Sequence, residues 1–142
     1  MLRYGFFYGP GSSYAPGGYY AREVLRRRFP IVGRGAGVFS FIHVDDAAAA
    51  TVAATERGKP GIYNVVDDEP APLREWLPVY AEAVGAKKPL RVPRFIARLV
   101  AGAYTTRLAT ELRGASNQRA KAELGWRPRY PSWRQGFRES LG

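Results

Sequence analysis

Residues Arg3-Tyr4-Gly5-Phe6-Phe7-Tyr8-Gly9-Pro10-Gly11 constrain the chain more than any other stretch. They read as a short aromatic strand that runs directly into a loop broken by glycine and proline. A strand this aromatic requires sheet neighbours, because an apolar edge left unpaired invites pairing with other chains. Only two residues precede it here. The expectation is therefore a chain that packs as the back half of something larger.

The alternation that follows is that of an α/β fold with parallel strand pairing. The spacing predicts a helix from about Tyr19 to Arg28, ended by Pro30, and a very short strand at Ile31-Val32. Gly33-Arg34-Gly35-Ala36-Gly37 looks like a phosphate-binding turn, but strand-like residues follow it where such a turn needs a helix. It reads as a hairpin loop before a strand over Val38 to Val44. Asp45-Asp46 then open an alanine-rich helix to about Glu56, with an aspartate as its cap. Ile62 to Val66 is a second strongly apolar strand. Leu73, Trp76, Leu77, Tyr80, Ala81 and Val84 fall on one helical face, with Pro72 in the first turn, Gly85 at the end and Pro78 as an internal bend. Leu90 to Pro93 is a short extended segment. Phe95, Ile96, Leu99, Val100, Ala103 and Tyr104 form another helical stripe. Ser116 caps a helix that stops at Leu124-Gly125. Ser132-Trp133-Arg134-Gln135 matches a capping box, with Trp133, Phe137 and Leu141 on one face.

Composition removes several function classes. The chain contains no cysteine, so it has no disulfides, thiolate metal site or thiol nucleophile, which fits a cytoplasmic protein. No apolar run approaches the ~20 residues of a membrane span. The net charge of +10 raises a small basic nucleic-acid-binding module as the alternative reading. However, the basic residues are mostly arginine spread along the chain. The single dense run, Arg26-Arg27-Arg28, suits the end of a helix, where cations complement the dipole.

Four motifs in order carry a resemblance: Arg3-x-Gly5-x-x-Tyr8-Gly9-Pro10-Gly11, Phe41-Ile42-His43-Val44-Asp45-Asp46-Ala47-Ala48, Tyr63-Asn64-Val65, and Ala120-Lys121-Ala122-Glu123-Leu124-Gly125-Trp126-Arg127-Pro128. Together they resemble the C-terminal half of an NAD-dependent epimerase/dehydratase, in the extended branch of the short-chain dehydrogenases/reductases. The resemblance implies a partial Rossmann-type fold in which 1–142 is the substrate-binding portion and the dinucleotide-binding portion is absent. It also implies NAD or NADP in the intact fold, a small-molecule substrate, and either a separate Rossmann half or a homo-oligomer as partner.

The family's catalytic parts are missing from these residues. There is no Gly-x-x-Gly-x-x-Gly turn between a strand and a helix, and none of the nine tyrosines has a lysine four residues later. No catalytic residue is therefore assigned, and the isolated chain is expected to be inactive. The resemblance places Tyr8, Gly9 and Pro10 at the nicotinamide end of the cofactor, with a turn around a buried tyrosine as the plainer reading. In family members acting on nucleotide sugars, an arginine that pairs with diphosphate stands about three residues before the Ile-His-Val. Here that residue is Phe39. Arg34, Ser40 and Phe41 are the substrate-binding candidates that remain. His43 reads as a packed or capping residue before it reads as a base, and Asp45-Asp46 as capping residues before an acid pair.

Overall fold

The computed structural model describes residues 1–141. After β1 (Leu2–Tyr4) and β2 (Phe6–Tyr8) come α1 (Tyr19–Leu25), β3 (Ile31–Val32), β4 (Val38–Phe39), β5 (Phe41–His43), α2 (Val44–Arg57), β6 (Tyr63–Val65), β7 (Ala71–Pro72), α3 (Leu73–Ala83), β8 (Arg91–Val92), α4 (Arg94–Glu111), α5 (Gln118–Leu124) and α6 (Trp133–Leu141). The expected α/β alternation is present. Parallel ladders join β1 to β6, β2 to β5 and β3 to β8, while β4 and β7 run antiparallel.

The opening strand is split at Gly5. A Cβ there would lie 2.5 Å from the Ser40 carbonyl oxygen and 3.0 Å from Val66 Cγ1, so only glycine lets the neighbouring backbone this close. The expected need for neighbours on both sides is not met: among the described residues each strand has one hydrogen-bonded neighbour. The pleat sends successive side chains to opposite faces, which leaves Tyr8 fully buried and Tyr4 and Phe7 each 40% exposed.

Two clusters make the core. The larger is aromatic: Phe41 packs 4.9 Å from Trp76 and 5.3 Å from Phe137, with Tyr8, Tyr14, Tyr80 and Trp133 around them. Such ring pairs contribute about 0.5–1.5 kcal/mol each beyond the area they bury. The smaller cluster sets the alanine face of α2 (Ala47, Ala50, Ala53) against Ala120 and Leu124 of α5 and Tyr63 and Val65 of β6. Small side chains on α2 allow that close approach.

α3 matches its predicted face: Leu73, Trp76, Leu77, Tyr80 and Ala81 are all buried, Pro72 caps the start, and Gly85 leaves the helix with φ 77°. Tyr80 Oη donates to the Tyr14 carbonyl oxygen (2.9 Å), a buried bond between α3 and the loop after β2.

Several expectations need correction. α1 ends at Leu25 rather than Arg28, because Arg27 adopts the left-handed φ of 57° three residues before Pro30. Residues Gly33 to Gly37 do not close a hairpin; β3 and β4 pair with β8 and β7 instead of with each other. The strand over Val38 to Val44 breaks at Ser40 and ends at His43. The apolar stripe of α4 faces outward: Leu99 and Val100 are each 83% exposed, and Ala97, Thr106 and Ala109 pack inward instead. Gly102 (φ 87°, ψ 165°) breaks α4 into two helical segments. No helix among the described residues is long and apolar enough to cross a membrane.

Candidate functional site

The carboxyl end of β2 is where an open α/β sheet exposes its ligand-binding loops. The loop from Gly9 to Gly18 is a chain of tight turns. The Gly9 carbonyl oxygen accepts from Ser12 N–H (3.2 Å) and Ser12 Oγ (2.8 Å), Ala15 N–H donates to Ser12, and Gly18 N–H donates to Ala15. Gly9 sits at φ 105°, and a Cβ on it would lie 2.8 Å from His43 Nε2. Glycine is therefore required there both by conformation and by space.

This loop and the open edge of β2 enclose a cavity of about 450 Å³, lined by Gly5, Phe6, Phe7, Gly11, Ser12, Ser13, Tyr14, Tyr20 and Val44. Tyr14 and Tyr20 stack at 4.4 Å and 22°, and Phe6 meets Tyr14 edge-on at 6.5 Å. Phe6 N–H donates to the Ser40 carbonyl oxygen. Alternation along a parallel ladder then turns the N–H and C=O of Phe7 to the free edge, on the cavity side. No charged side chain lines this space.

Of the residues read from the sequence, Tyr8 is the most enclosed. Its ring meets His43, Phe137 and Phe41 edge-on at 5.1–6.4 Å. Its buried hydroxyl has no hydrogen-bond partner. Burial, and next the charge of Asp67, push that hydroxyl far above the ordinary tyrosine range, so it stays protonated. A Cβ on Gly136 of α6 would overlap the Tyr8 ring and hydroxyl. Gly9 is buried and Pro10 exposed. Arg34 is exposed in the loop after β3. Ser40 Oγ accepts from Ala115 N–H (2.9 Å), and Phe41 is fully buried in the aromatic core. None of these six residues lines the cavity beside β2.

His43, rather than an aspartate, caps α2: its Nδ1 accepts the Asp45 N–H at 3.1 Å. That bond fixes the neutral tautomer with its proton on Nε2. Burial lowers the His43 pKa, against a smaller upward pull from Asp45. The ring stacks on Tyr130 at 4.3 Å. Asp46 is buried and spends both carboxylate oxygens on the N–H groups of Arg129 (2.7 Å) and Tyr130 (2.9 Å). These aspartates hold backbone and form no acid pair.

A second cavity of about 600 Å³ opens beside the loop after β6, lined in part by Asp67, Asp68, Asn117 and Lys121. Asn117 Nδ2 donates to Asp68 (2.7 Å) and to the Val66 carbonyl oxygen (2.9 Å), and Lys121 pairs with Asp68 at 3.1 Å. Asp67 is almost fully buried, its Oδ2 has no partner, and burial pushes its carboxyl up to about 8. No group of side chains among the described residues is placed to hold a metal ion. Sequence reading missed Ser12, Ser13, Tyr14 and Tyr20. The available signal was the clustering of hydroxyls and rings in a glycine-rich loop directly after a strand.

No family model matches the chain. Over 137 residues, 96% of its length, it is 49% identical to a 3-diazoavenalumate denitrifying reductase of a Streptomyces species, and it covers 45% of that protein. Among solved structures, a human epimerase family protein with NADPH superposes at a TM-score of 0.76 with 21% identity, over 99% of this chain and 47% of that one. A dTDP-glucose 4,6-dehydratase of Bacillus anthracis in complex with NAD superposes at 0.69 with 20% identity, over 99% and 42%. By fold, the chain belongs to the NAD-dependent epimerase/dehydratase family. It corresponds to part of that Rossmann-like fold and spans about half the length of the epimerase, dehydratase and reductase relatives it matches.

Proposed function

We propose that residues 1–142 form the substrate-binding portion of an NAD(P)-dependent reductase of this family, and that the portion is inactive by itself. The 49% identity to a denitrifying reductase, sustained along 96% of this chain, carries the reading and favours reduction over epimerisation or dehydration. The inactivity follows from the chemistry these residues lack: no lysine-activated tyrosine and no glycine turn for the pyrophosphate.

The cavity beside β2 is the substrate pocket. Tyr8, Gly9 and Pro10 contribute to it in different ways. The buried Tyr8 ring anchors the turn, while the Gly9–Pro10 backbone borders the nicotinamide end of the cofactor. The residues present suit that one edge of a dinucleotide. They offer no cradle for its phosphates, which the reading assigns to a Rossmann portion. Arg34 and Ser40 stand outside this pocket and Phe41 lies behind it in the core, so any part they play in substrate binding is through the loops and strands they hold. A dinucleotide supplies hydride when bound; this chain's own contribution is to shape the pocket and exclude water from it.

The test is a turnover assay with NADH and NADPH on the purified chain, alone and mixed with a dinucleotide-binding portion of the Streptomyces relative. Oxidation of either cofactor only in the mixture is the expected result. Turnover by the chain alone overturns the inactive-portion reading.

A further inference from the structure

We infer that the cavity beside β2 takes a planar aromatic ligand bearing one polar substituent, and not a nucleotide sugar. The inference rests on the substrate-binding reading above and adds the substrate class. Four of the nine lining residues are aromatic, and they are arranged as a slot: Phe6 and Phe7 on the strand side, with the stacked Tyr14–Tyr20 pair on the loop side. Rings that are already stacked lose little freedom when a further flat ring packs against them.

The charge of the lining points the same way. A diphosphate carries at least two negative charges and is held by charge-assisted hydrogen bonds, with arginine forks the usual donors. The lining has no Lys, Arg or His. Where the resemblance places the diphosphate-pairing arginine, this chain has Phe39. That ring is buried and packs 5.0 Å from Phe6, directly behind the cavity wall. Unpaired phosphate charge against this aromatic wall is strongly disfavoured. The polar groups that remain are few and neutral. Ser13 Oγ makes no hydrogen bond within the described residues, and the Phe7 N–H and C=O face the free strand edge. They suit one phenolic or similar substituent. A volume of about 450 Å³ accommodates a ring with a short side chain.

The experiment is an amide NMR titration of the full 142-residue chain with 4-hydroxycinnamate and, separately, with UDP-glucose. The aromatic acid is expected to shift the amides of Phe7, Gly11 to Tyr14, Tyr20 and Val44, and UDP-glucose to leave them in place. Val44→Trp, which fills the cavity from the first residue of α2, is expected to abolish those shifts while the thermal melt stays cooperative. Tyr20→Ala is expected to weaken binding about tenfold and Tyr20→Phe to restore it; this pair decides the matter if Val44→Trp does not fold. UDP-glucose shifting these amides where the aromatic acid does not overturns the substrate class and leaves the substrate-binding reading standing. Shifts that persist in Val44→Trp, or are indifferent to Tyr20, place the ligand elsewhere and overturn the inference. Silence from both ligands overturns both readings.

Discussion

Two buried titratable residues report how this protein spends polar groups in its interior. Asp67 is held well above the ordinary aspartate range, at about 8, chiefly by burial. Its folded pKa is raised, so its contribution to stability is fully present below the unfolded value near 3.8 and is lost as pH rises through 8. Asp67→Asn keeps the acceptor for the Glu69 N–H (3.1 Å) and removes the titration. Thermal melts are expected to show a higher Tm than the parent at pH 8 and a flatter profile between pH 4 and 8. His43 has the opposite sign. Its folded pKa is depressed below 6.5, so stability present above that value is lost as pH falls. Protonating Nδ1 also turns the cap acceptor into a second donor facing the Asp45 N–H. His43→Asn retains a capping side chain and should melt within a few degrees of the parent at pH 7 while losing that acid sensitivity. His43→Ala should cost about 1 kcal/mol at pH 7. Neither effect was legible in sequence, where His43 and Asp45 are adjacent candidates for one cap and only geometry chooses between them.

Helices whose faces answer to the nearest core were readable from spacing alone; α3, the Gly125 stop of α5 (φ 62°) and the Trp133-Phe137-Leu141 face of α6 follow their patterns. The capping box at α6 forms by half: Ser132 Oγ accepts the Arg134 N–H, but Gln135 reaches forward to Glu139. α4 shows the limit of periodicity. Spacing establishes that an apolar stripe exists and is silent on what it faces. With Leu99 and Val100 packed on nothing in the chain, Leu99→Glu with Val100→Glu is expected to leave Tm unchanged and to lower self-association in sedimentation velocity. A drop in Tm would show that the stripe packs inward after all. The docking of α6 on β2 is tight by contrast. Gly136→Ala forces a methyl into the Tyr8 ring and should cost at least about 1–3 kcal/mol in denaturant melts.

Across the whole molecule, the α/β alternation and parallel pairing were legible because hydrophobic period and turn residues agree. The extent of the sheets was not, since a strand pattern does not count its neighbours. Two-stranded ladders are marginal on their own, and the aromatic core holds these together from one side. The charge of +10 is spread over arginines, several of them engaged: Arg134 with Glu69 and Glu75, Arg94 and Arg107 with Glu111, Arg119 with Glu123. Binding to a mixed nucleic-acid pool at low ionic strength, read by fluorescence anisotropy, is accordingly expected to be absent. Strong binding that falls steeply with added salt would restore the nucleic-acid alternative.

The bond from Tyr80 to the Tyr14 carbonyl has a mechanical meaning. Because that oxygen belongs to the loop and that hydroxyl to the most deeply seated helix, the wall of the pocket cannot shift without dragging the helix along. A guest pressing on Tyr14 therefore meets the stiffness of the entire aromatic interior instead of a yielding surface turn. Cutting that one tether, as Tyr80→Phe does, should soften the pocket while leaving its shape in place.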